Sequence, residues 1–427
     1  MAIALLFIVF GLLLLLGVPV AFALAGAALA TLLYLDVPSI VLVQQVSAGS
    51  GSASLIAIPL FIFAGELMLR GGISERLIAL ASALVGRLRG GLGQVSILSS
   101  LFFGGVSGSA IADVSAVGGT MIPQMVKRGY DRDYAVNVSI TAALVALLVP
   151  PSHNLILYSA AAGGGLSIAD LFAAGIVPAL LMTLALMVTG YVVARRRGYG
   201  VEPFPGWRAV FMRLLAALPG LGLVGLIFFG IRAGIFTAVE SAAIAVVYAL
   251  LVTGLLYRQL RVREFVGAVT HAARSSGAIL FVIAAAAVFG WLLAYLQVPA
   301  AAVEALQSFA TGKHAALLLI VLALLVLGTF MDLAPMILIC TPIFLPVAKA
   351  YGIDPVHFGL VLVLTGGIGL VTPPVGSVLF IGTAIGKISI GQCMRTIWPF
   401  WLAALLVLLV VALFPQLSLW LPAALKA

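Results

Sequence analysis

Long apolar runs separated by short polar stretches dominate the chain. The longest runs, which carry almost no charge, are 3–34, 168–194, 234–257, 275–297 and 395–421. A helix of about 20 apolar residues crosses the roughly 30 Å hydrocarbon core of a bilayer. The pattern therefore predicts an all-α integral membrane protein with several crossings. We expect residues 3–34 to be retained as one membrane helix, because they lack the basic start and small-residue cleavage site of a signal peptide.

The composition excludes a soluble globule. Hydrophobic residues make up 64% of the 427 residues and charged residues 8%, whereas soluble domains carry about 25% charged residues. The net charge of +9 comes from basic clusters between the apolar runs, which is typical of membrane topology rather than of nucleic-acid binding. Cys340 and Cys393 are too few for a disulfide framework or a metal site, so they are interpreted as packing residues.

Four basic clusters determine the predicted orientation. They hold the densest Lys and Arg residues and span 70–89, 127–132, 195–213 and 258–274. The positive-inside rule assigns all four to the cytoplasm. Two crossings, at 214–231 and 234–257, lie between the last two clusters. An even number of crossings returns the chain to the same side of the membrane, in agreement with the rule. The stretch 298–312 contains Glu304 and no Lys or Arg, so it is expected outside. The amino-terminus is predicted to be cytoplasmic.

Two apolar segments are better explained as re-entrant hairpins than as crossings. Residues 90–126 begin and end at cytoplasmic clusters and are interrupted at 104–109 by the sequence GGVSGS. Residues 314–349 behave in the same way from the opposite face, with a break at 328–332. Breaks at membrane depth persist only where protein or a water-filled cavity satisfies the backbone, so they mark candidate binding sites.

The two halves of the sequence share residues at constant spacing. Pro123, Gly129, Asp131, Pro150 and Pro151 recur 223 positions later as Pro346, Gly352, Asp354, Pro373 and Pro374. The loop assignment gives the two copies opposite orientations in the membrane. The constant spacing therefore indicates an inverted-topology repeat, as in many secondary transporters. The first repeat spans 1–200 and contains a hairpin at about 90–126 and a Pro-broken helix at about 134–162. A linker and connecting helix follow at 201–233. The second repeat spans 234–427 and contains a hairpin at about 314–349 and a Pro-broken helix at about 356–386.

The breaks concentrate groups that suit a cation and an anion. Each proline pair is expected to leave carbonyls without helical partners, near 147–150 and 370–373, and free carbonyls suit sodium, a hard cation. The hairpins add the hydroxyls and carboxylates of Ser107, Ser109, Asp113, Thr329 and Asp332. The half-helices that begin at 152–156 and 374–378 direct positive dipole ends at the breaks and favour an anion. Their candidate ligands are Ser152, Asn154 and Ser377.

Structural roles remain open for the same residues. The alternatives are helix capping for the two hairpin aspartates, close helix packing for the two hairpin serines and a local hydrogen bond for His153. Glu66 and Glu240 lie in apolar sequence. They are interpreted as buried polar anchors between helices or toward a partner subunit.

Several longer motifs resemble one transporter family. They are FFGGVSGSAIADVSAVGGTMIPQMVKRGYD and LVPPSHNLILYS in the first half, and FMDLAPMILICTPIFLPVAKAYGIDPVHFG and GLVTPPVGSVLF in the second. These segments are similar to the large membrane subunit of TRAP (tripartite ATP-independent periplasmic) transporters. The resemblance covers essentially the whole chain and is more specific than any single glycine or proline pair.

The resemblance implies a sodium-coupled importer of a small organic anion in the bacterial or archaeal cytoplasmic (inner) membrane. It implies an elevator-like movement of a transport domain against a scaffold. It also implies two separate partner chains, a periplasmic substrate-binding protein and a small four-helix membrane subunit, together with the lipid bilayer and no nucleic acid. Family solutes are mostly carboxylates, from dicarboxylates to sialic acid. Ala110 and Ile111 offer no cation, so a preference for sialic acid is not supported.

The family's ion-binding regions correspond to two groups of residues. They are Ser107, Ser109 and Asp113 with the Pro150–Pro151 break, and Thr329 and Asp332 with the Thr372–Pro373–Pro374 break. Sodium ligands are accordingly expected among Ser107, Asp113, Pro150, Thr329, Asp332, Thr372 and Pro373. Solute ligands are expected among Ser109, Asp113, Ser152, Asn154 and Ser377.

Two other functions share part of this pattern. A stand-alone sodium-coupled dicarboxylate or inorganic-anion symporter of the related inverted-hairpin type would have the same hairpins and breaks. An intramembrane serine protease would place Ser107, in the sequence GVSG, beside a general base. Of the four His residues, His153 is the candidate base, because it follows the proline pair of the first predicted broken helix.

Overall fold

The protein is helical throughout the part of the chain that the structure describes. The computed structural model describes residues 1–201, 203–310 and 312–426, and within them it contains helices and no strand. The all-α architecture predicted from the sequence is confirmed. Glu202, in the predicted linker, and Thr311, in the predicted exterior stretch, lie outside the described residues.

The first half of the chain is built from short and medium helices that lead to one long helix. They are α1 (Ala2–Leu15), α2 (Val20–Tyr34), α3 (Ile40–Ser50), α4 (Ala57–Arg70), α5 (Ile73–Val85), α6 (Gly91–Ser107), α7 (Ala110–Asp113), α8 (Gly119–Lys127), α9 (Arg132–Ala142), α10 (His153–Ala161) and α11 (Ile168–Arg196). Short 3-10 turns at Ala53–Ile56 and Val145–Leu147 and a π-turn at Val114–Gly118 join some of them.

The second half contains most of the long apolar helices. Its helices are α12 (Trp207–Arg232), α13 (Ala238–Leu250, extended by a π-turn at Leu251–Leu256), α14 (Val262–Tyr295), α15 (Val298–Phe309), α16 (Lys313–Gly328), α17 (Leu333–Ala350), α18 (Pro355–Gly369), α19 (Ser377–Gly386), α20 (Ile390–Thr396), α21 (Trp398–Leu413) and α22 (Gln416–Ala424). Among the described residues, 5 helices are long and apolar enough to cross a membrane, or up to 9 spans if each bent pair counts as one. The prediction of several crossings is confirmed.

The first apolar run is two helices, so the single membrane helix expected over 3–34 is wrong. Gly17, at φ 77°, and Pro19 separate α1 from α2, because neither residue readily continues a helix. The Leu13 side chain lies 3.0 Å from the position of a Cβ on Gly26. A continuous helix would place these residues about 20 Å apart. α1 and α2 therefore fold back on each other and return the chain to its starting side.

The segment α3–α4 runs antiparallel to α14. Gly49 packs against Ala287 near one end of α14, and the Arg70 guanidinium packs against Gly267 near the other. The stretch of α14 between these two points is about 30 Å long, which is a full membrane crossing. The end of α4 therefore lies at the level of the start of α14, in agreement with the assignment of both basic clusters to one side.

The first hairpin consists of α6, a tight turn, and the returning segment α7 to α8. The chain turns at Gly108, which has φ 58°, a backbone conformation that glycine adopts without steric cost. Ser109 caps α7, because its Oγ accepts a hydrogen bond from Ala112 N at 3.3 Å. The capping role considered for Asp113 is therefore wrong: Asp113 is the last residue of α7, and Ser109 already occupies the cap position.

The tip of this hairpin rests on the break of the first broken helix, which consists of α9, a 3-10 turn and α10. A Cβ on Gly104 would stand 2.7 Å from Ala146 Cα, and a Cβ on Gly108 would stand 2.5 Å from Pro151 O. Only residues without a side chain permit this approach. The Pro150–Pro151 bond is cis, and both prolines are buried.

The second half has the same order of elements, with α16, a break, α17, and then α18, a break and α19. Val375 N donates to Thr329 O at 3.0 Å, so the second hairpin tip also rests on the break of its own half. This break is less covered than the first. Pro374 is exposed, Val375 is 41% exposed, and the Pro373–Pro374 bond is cis.

Two carbonyls expected to be free at the breaks are hydrogen-bonded. Leu147 O accepts from Ser152 Oγ at 2.7 Å. Leu370 O accepts from the backbone N–H groups of Val378 and Leu379 at 3.1 and 3.2 Å. In each case the half-helix after the proline pair directs donors of its first turn back across the break. These two carbonyls lack helical partners, as predicted, but the expectation that they are free is wrong.

Ion pairs at the two ends of α11 connect it to neighbouring elements. At its start, Asp170 accepts from Arg232 of α12 at 3.2 Å and from Lys426 at 2.6 Å. Just after its end, Arg197 donates to both carboxylate oxygens of Asp133 at 2.8 Å. These pairs lie at opposite ends of a helix of 29 residues, so they hold both ends of one membrane crossing.

Glu240 is not the buried anchor expected from its apolar surroundings in the sequence. It is exposed in the first turn of α13. Thr237 N donates to Glu240 Oε2 at 2.8 Å, and Glu240 N donates to Thr237 Oγ1 at 3.2 Å. These reciprocal bonds form a capping box, so the role of Glu240 is to start α13.

Candidate functional site

A cavity of about 380 Å³ lies between the first hairpin tip, the first turns of α10 and α17, and the helices α4 and α14. It brings together four of the predicted ligands, Ser107, Ser109, Asn154 and Asp332. Both hairpins therefore contribute to one cavity, and the wall opposite the first hairpin belongs to α4 and α14.

The first hairpin and α10 are hydrogen-bonded to each other at this cavity. Asn154 Nδ2 donates to Gly108 O at 3.1 Å, and His153 forms a hydrogen bond with the backbone of Ser107. His153 thus makes the local bond considered for it, while its Nδ1 is buried and has no partner among the described residues. Ser107 Oγ accepts from Ser109 N at 3.4 Å. These bonds fix the hairpin tip against the start of α10.

Asp332 is the carboxylate that the second hairpin contributes to the cavity. Its Oδ1 accepts from Leu333 N at 3.2 Å and from Ser377 Oγ at 3.1 Å. Asp332 therefore caps α17, as the structural alternative proposed, and it lines the cavity as well. Ser377 is not itself in the cavity wall, since its hydroxyl is directed to this carboxylate.

A charged cluster on the opposite wall was not identified as a site from the sequence. Glu66 accepts from Arg70 Nε at 3.2 Å, and its other oxygen lies 2.9 Å from His271 Nδ1. Arg70 Nη1 lies 3.6 Å from Glu264 Oε2. Glu66 is 7% exposed and connects α4 to α14, as expected of a buried polar anchor. Glu66 and His271 are far apart in the sequence, so no local spacing signals their contact.

Asp113 lies beneath the hairpin tip rather than in the cavity wall. It is fully buried. Its Oδ2 accepts from Ser100 Oγ at 2.6 Å, and its Oδ1 has no partner among the described residues. A buried carboxylate oxygen without a partner carries a free-energy cost that a bound cation would offset.

The remaining predicted ligands do not line this cavity. They are Pro150, Ser152, Thr329, Thr372, Pro373 and Ser377. The hydroxyls of Thr329 and Thr372 donate to the preceding turn of their own helices at 2.8 and 2.7 Å, and Trp401 Nε1 donates to Thr372 Oγ1 at 3.1 Å. The hydroxyls around the second break are therefore engaged locally, away from the cavity.

The site does not contain a paired nucleophile and base. His153 contacts the backbone of Ser107 rather than its hydroxyl, which accepts from Ser109 N. The part of the chain that the structure describes also has no group of three or more His, Cys, Asp or Glu placed to hold a metal ion. The cavity instead presents hydroxyls, the starts of two helices, a carboxylate and a guanidinium. Groups of these types suit a small polar anion and a hard cation.

The sequence matches one protein family over nearly its full length. The family model described as "Tripartite ATP-independent periplasmic transporter, DctM component" matches residues 7–417. The sialic acid TRAP transporter large permease protein SiaM of Vibrio cholerae is 37% identical over 407 residues, 95% of each chain. The C4-dicarboxylate TRAP transporter large permease protein DctM of the same organism is 35% identical over 444 residues, covering 99% of this chain and 98% of the relative.

A solved structure has a similar fold. The YdaH transporter of Alcanivorax borkumensis, described as having an unusual topology, aligns with a TM-score of 0.61 over 92% of this chain and 90% of its own. The two sequences are 16% identical, so the likeness concerns the fold alone.

Proposed function

This chain belongs to the DctM component of the tripartite ATP-independent periplasmic transporters, and from that premise we propose that it imports a small organic anion in symport with sodium. The prediction of a TRAP large permease, and of a transporter rather than an enzyme, is confirmed. To this family assignment we add the solute class, the coupling ion and the movement of the hairpins and broken helices.

A carboxylate is the solute class that suits the cavity best. α10 starts at His153 and α17 at Leu333, and both residues line the cavity. The N–H groups and positive dipole ends of helix starts favour an anionic group. The relatives SiaM and DctM are named for sialic acid and C4-dicarboxylates, and both kinds of solute carry carboxylates. On this wall, Ser109 and Asn154 have side chains of the type that donates hydrogen bonds to a carboxylate.

Sodium is proposed as the coupling ion because the hairpins gather oxygen atoms around the breaks. The Asp113 Oδ1 atom, buried without a partner in the described chain, supports a cation beneath the first hairpin tip. Hard cations prefer several carbonyl, hydroxyl and carboxylate oxygens. We propose that Ser107, Asp113 and Pro150 contribute ligands there, and that Thr329, Asp332, Thr372 and Pro373 contribute ligands at the second break.

The two halves are proposed to form an inverted repeat whose hairpins and broken helices move as one body. In support, each hairpin tip rests on the proline break of its own half, through Gly108 and Pro151 in the first and through Thr329 and Val375 in the second. A hairpin and a broken helix joined in this way move together against α4 and α14. We further propose a periplasmic binding protein and a small four-helix membrane subunit as partners in the inner membrane.

The single observation that carries this proposal is a cavity shared by both hairpin tips and walled by other helices. The test is uptake into liposomes that hold the chain with its small membrane subunit, with the binding protein outside. We expect uptake of labelled succinate or N-acetylneuraminate that requires an inward sodium gradient. Uptake that is unchanged when choline replaces sodium would contradict the coupling, and uptake of neutral solutes alone would contradict the solute class.

The same liposomes test the stand-alone symporter. If sodium-driven uptake persists without the binding protein and the small subunit, the chain acts alone. If uptake requires both partners, the tripartite assembly is the working unit.

A further inference from the structure

We propose that Arg70 binds the anionic group of the solute from the wall formed by α4 and α14, and so helps to determine specificity. The inference rests on the organic-anion transport proposed above and adds a ligand on the wall opposite the first hairpin. Arg70 is the last residue of α4, in a basic cluster assigned to the cytoplasm. An anion bound there is at the cytoplasmic end of the cavity.

Arg70 offers unused hydrogen-bond donors to the cavity. It is the sole Lys or Arg among the lining residues that the structure describes, and its side chain is 31% exposed. In the described chain it makes one hydrogen bond, from Nε to Glu66 at 3.2 Å. Its Nη1 is 3.6 Å from Glu264 Oε2, which is longer than a hydrogen bond. The two Nη groups are therefore available, and such a fork binds a carboxylate through two parallel bonds.

Glu66 and Gly267 hold the guanidinium in this orientation. Glu66 contacts Arg70 at Nε rather than at the fork, and His271 Nδ1 fixes the other Glu66 oxygen at 2.9 Å. A Cβ on Gly267 would stand 2.7 Å from Arg70 Nη1, so the lack of a side chain on α14 makes room for the guanidinium. The position of Arg70 is thus set by two helices, while its fork stays open.

The charges around Arg70 suit reversible binding. Glu66 balances its charge when the cavity is empty, and Glu264, whose side chain is 41% exposed, is a loosely placed second partner. A solute carboxylate can take the place of Glu264 without unpairing Glu66. An arginine that is already paired on one side holds an anion less tightly than an isolated one would, and this suits a site that must release its solute to the cytoplasm.

The competing role for Arg70 is purely structural, as part of a brace between α4 and α14. The two roles differ in one measurable respect. If Arg70 is a brace, its substitution lowers thermal stability to the same extent with and without solute. If Arg70 is an anion ligand, its substitution lowers the affinity for charged solutes and not for neutral ones. Arg70→Lys keeps the charge and the length but removes the fork, so it separates the two roles.

The experiment measures binding of succinate, N-acetylneuraminate and neutral succinamide to the purified complex of the chain with its small subunit in sodium, by ligand-induced thermal shift. We expect Arg70→Lys to weaken binding of whichever anion the wild type binds by about 10- to 100-fold, with Arg70→Gln at least as weak. Glu264→Gln should bind the anion more tightly, because it removes the competing carboxylate. Glu75→Gln, at an exposed position outside the cavity, is the matched control and should bind as the wild type. In liposomes, Arg70→Lys should raise KM and leave the maximal rate within about threefold.

Unchanged anion affinity in both Arg70 variants would overturn the inference and leave the proposed transport function intact. Equal loss of thermal stability in Arg70→Lys and His271→Gln, with unchanged affinity, would identify the brace. Binding of succinamide but of neither anion by the wild type would instead overturn the proposed solute class, and the role of Arg70 with it.

Discussion

At the scale of single residues, two adjacent serines on α6 have different surroundings. Ser99 and Ser100 are both fully buried. Ser100 Oγ donates to Asp113 Oδ2 at 2.6 Å, whereas Ser99 Oγ has no partner among the described residues. Removing the donor of a buried carboxylate is costly, while removing an unpartnered hydroxyl is not. The two positions therefore separate hydrogen bonding from packing beneath the hairpin tip.

We expect Ser100→Ala to lower the free energy of unfolding by about 1–3 kcal/mol, because it leaves both Asp113 oxygens without a protein donor. Ser99→Ala, the matched control, should leave stability unchanged or slightly higher. Thermal unfolding of the detergent-solubilised complex in sodium and in choline chloride measures both. A bound sodium ion should reduce the loss in Ser100→Ala, and equal losses in the two alanine variants would show that lost volume determines the effect.

At the scale of elements, the fold of α1 on α2 changes the number of crossings before the first basic cluster. α3–α4 crosses the membrane toward Arg70, so α3 begins outside if the basic cluster at 70–89 is cytoplasmic. Only five residues separate the end of α2 from the start of α3. Because α1 folds back on α2, the amino-terminus lies on the same side as the end of α2. The same basic clusters that predicted a cytoplasmic amino-terminus therefore place it outside once the hairpin is counted.

We expect the variant Ala2→Cys to react with a membrane-impermeant maleimide in cells whose inner membrane is intact. The native Cys340 and Cys393 are 1% and 0% exposed, so their background labelling should be low. Arg208→Cys, in a cluster that the positive-inside rule assigns to the cytoplasm, is the control and should react only after the inner membrane is permeabilised. Labelling of Ala2→Cys only after permeabilisation would show that the amino-terminus is cytoplasmic.

The elements that the sequence predicted well are those with local signals. Glycines and proline pairs mark both hairpin breaks and both helix breaks, because these residues act on the backbone at their own positions. Gly17 and Pro19 carry the same kind of signal in the first run, but the length of that run favoured a single crossing. Chain length and apolar content alone therefore do not distinguish one span from two folded helices.

The candidate site was predicted only in part, because its walls meet through tertiary packing. Ser107, Ser109 and Asp332 adjoin the breaks and line the cavity, whereas Thr329 adjoins a break but does not line it. Asp113 was placed in the cavity because the sequence does not reveal that Ser109 takes the cap and that Ser100 binds the carboxylate. Glu66 and His271 come together across α4 and α14, and this contact has no signature in residue spacing.

At the scale of the whole molecule, one ion cluster joins α11 to α12, and these two helices separate if α11 moves with the hairpins. Asp170 lies in the first turn of α11, which packs along α21 and α22, whereas Arg232 ends α12, which packs on α5 and α13. If the hairpins and broken helices move with α11, the contact with Arg232 must open in each transport cycle. Lys426 follows α22 and would move with Asp170.

We expect Arg232→Gln to raise the maximal uptake rate at least twofold without changing KM, because it removes a contact that favours the present conformation. The free energy of unfolding should also fall, because Asp170 is buried and Lys426 is then its remaining ion-pair partner. Lys426→Gln is the control and should leave the rate unchanged. Initial rates in liposomes measure both variants, and equal rates for Arg232→Gln and the wild type would mean that this contact does not open during transport.

The uneven covering of the two proline breaks has a pharmacological consequence. The first pair is wrapped in protein, whereas Pro374 and Val375 are open at the surface. If the two halves form the proposed inverted repeat, the opposite state arises when they exchange their surroundings, and the first pair would then be the exposed one. A compound shaped to the surface at Val375 would then bind one state alone. Such a compound would inhibit transport without resembling the solute, and a screen for non-competitive inhibitors would identify it.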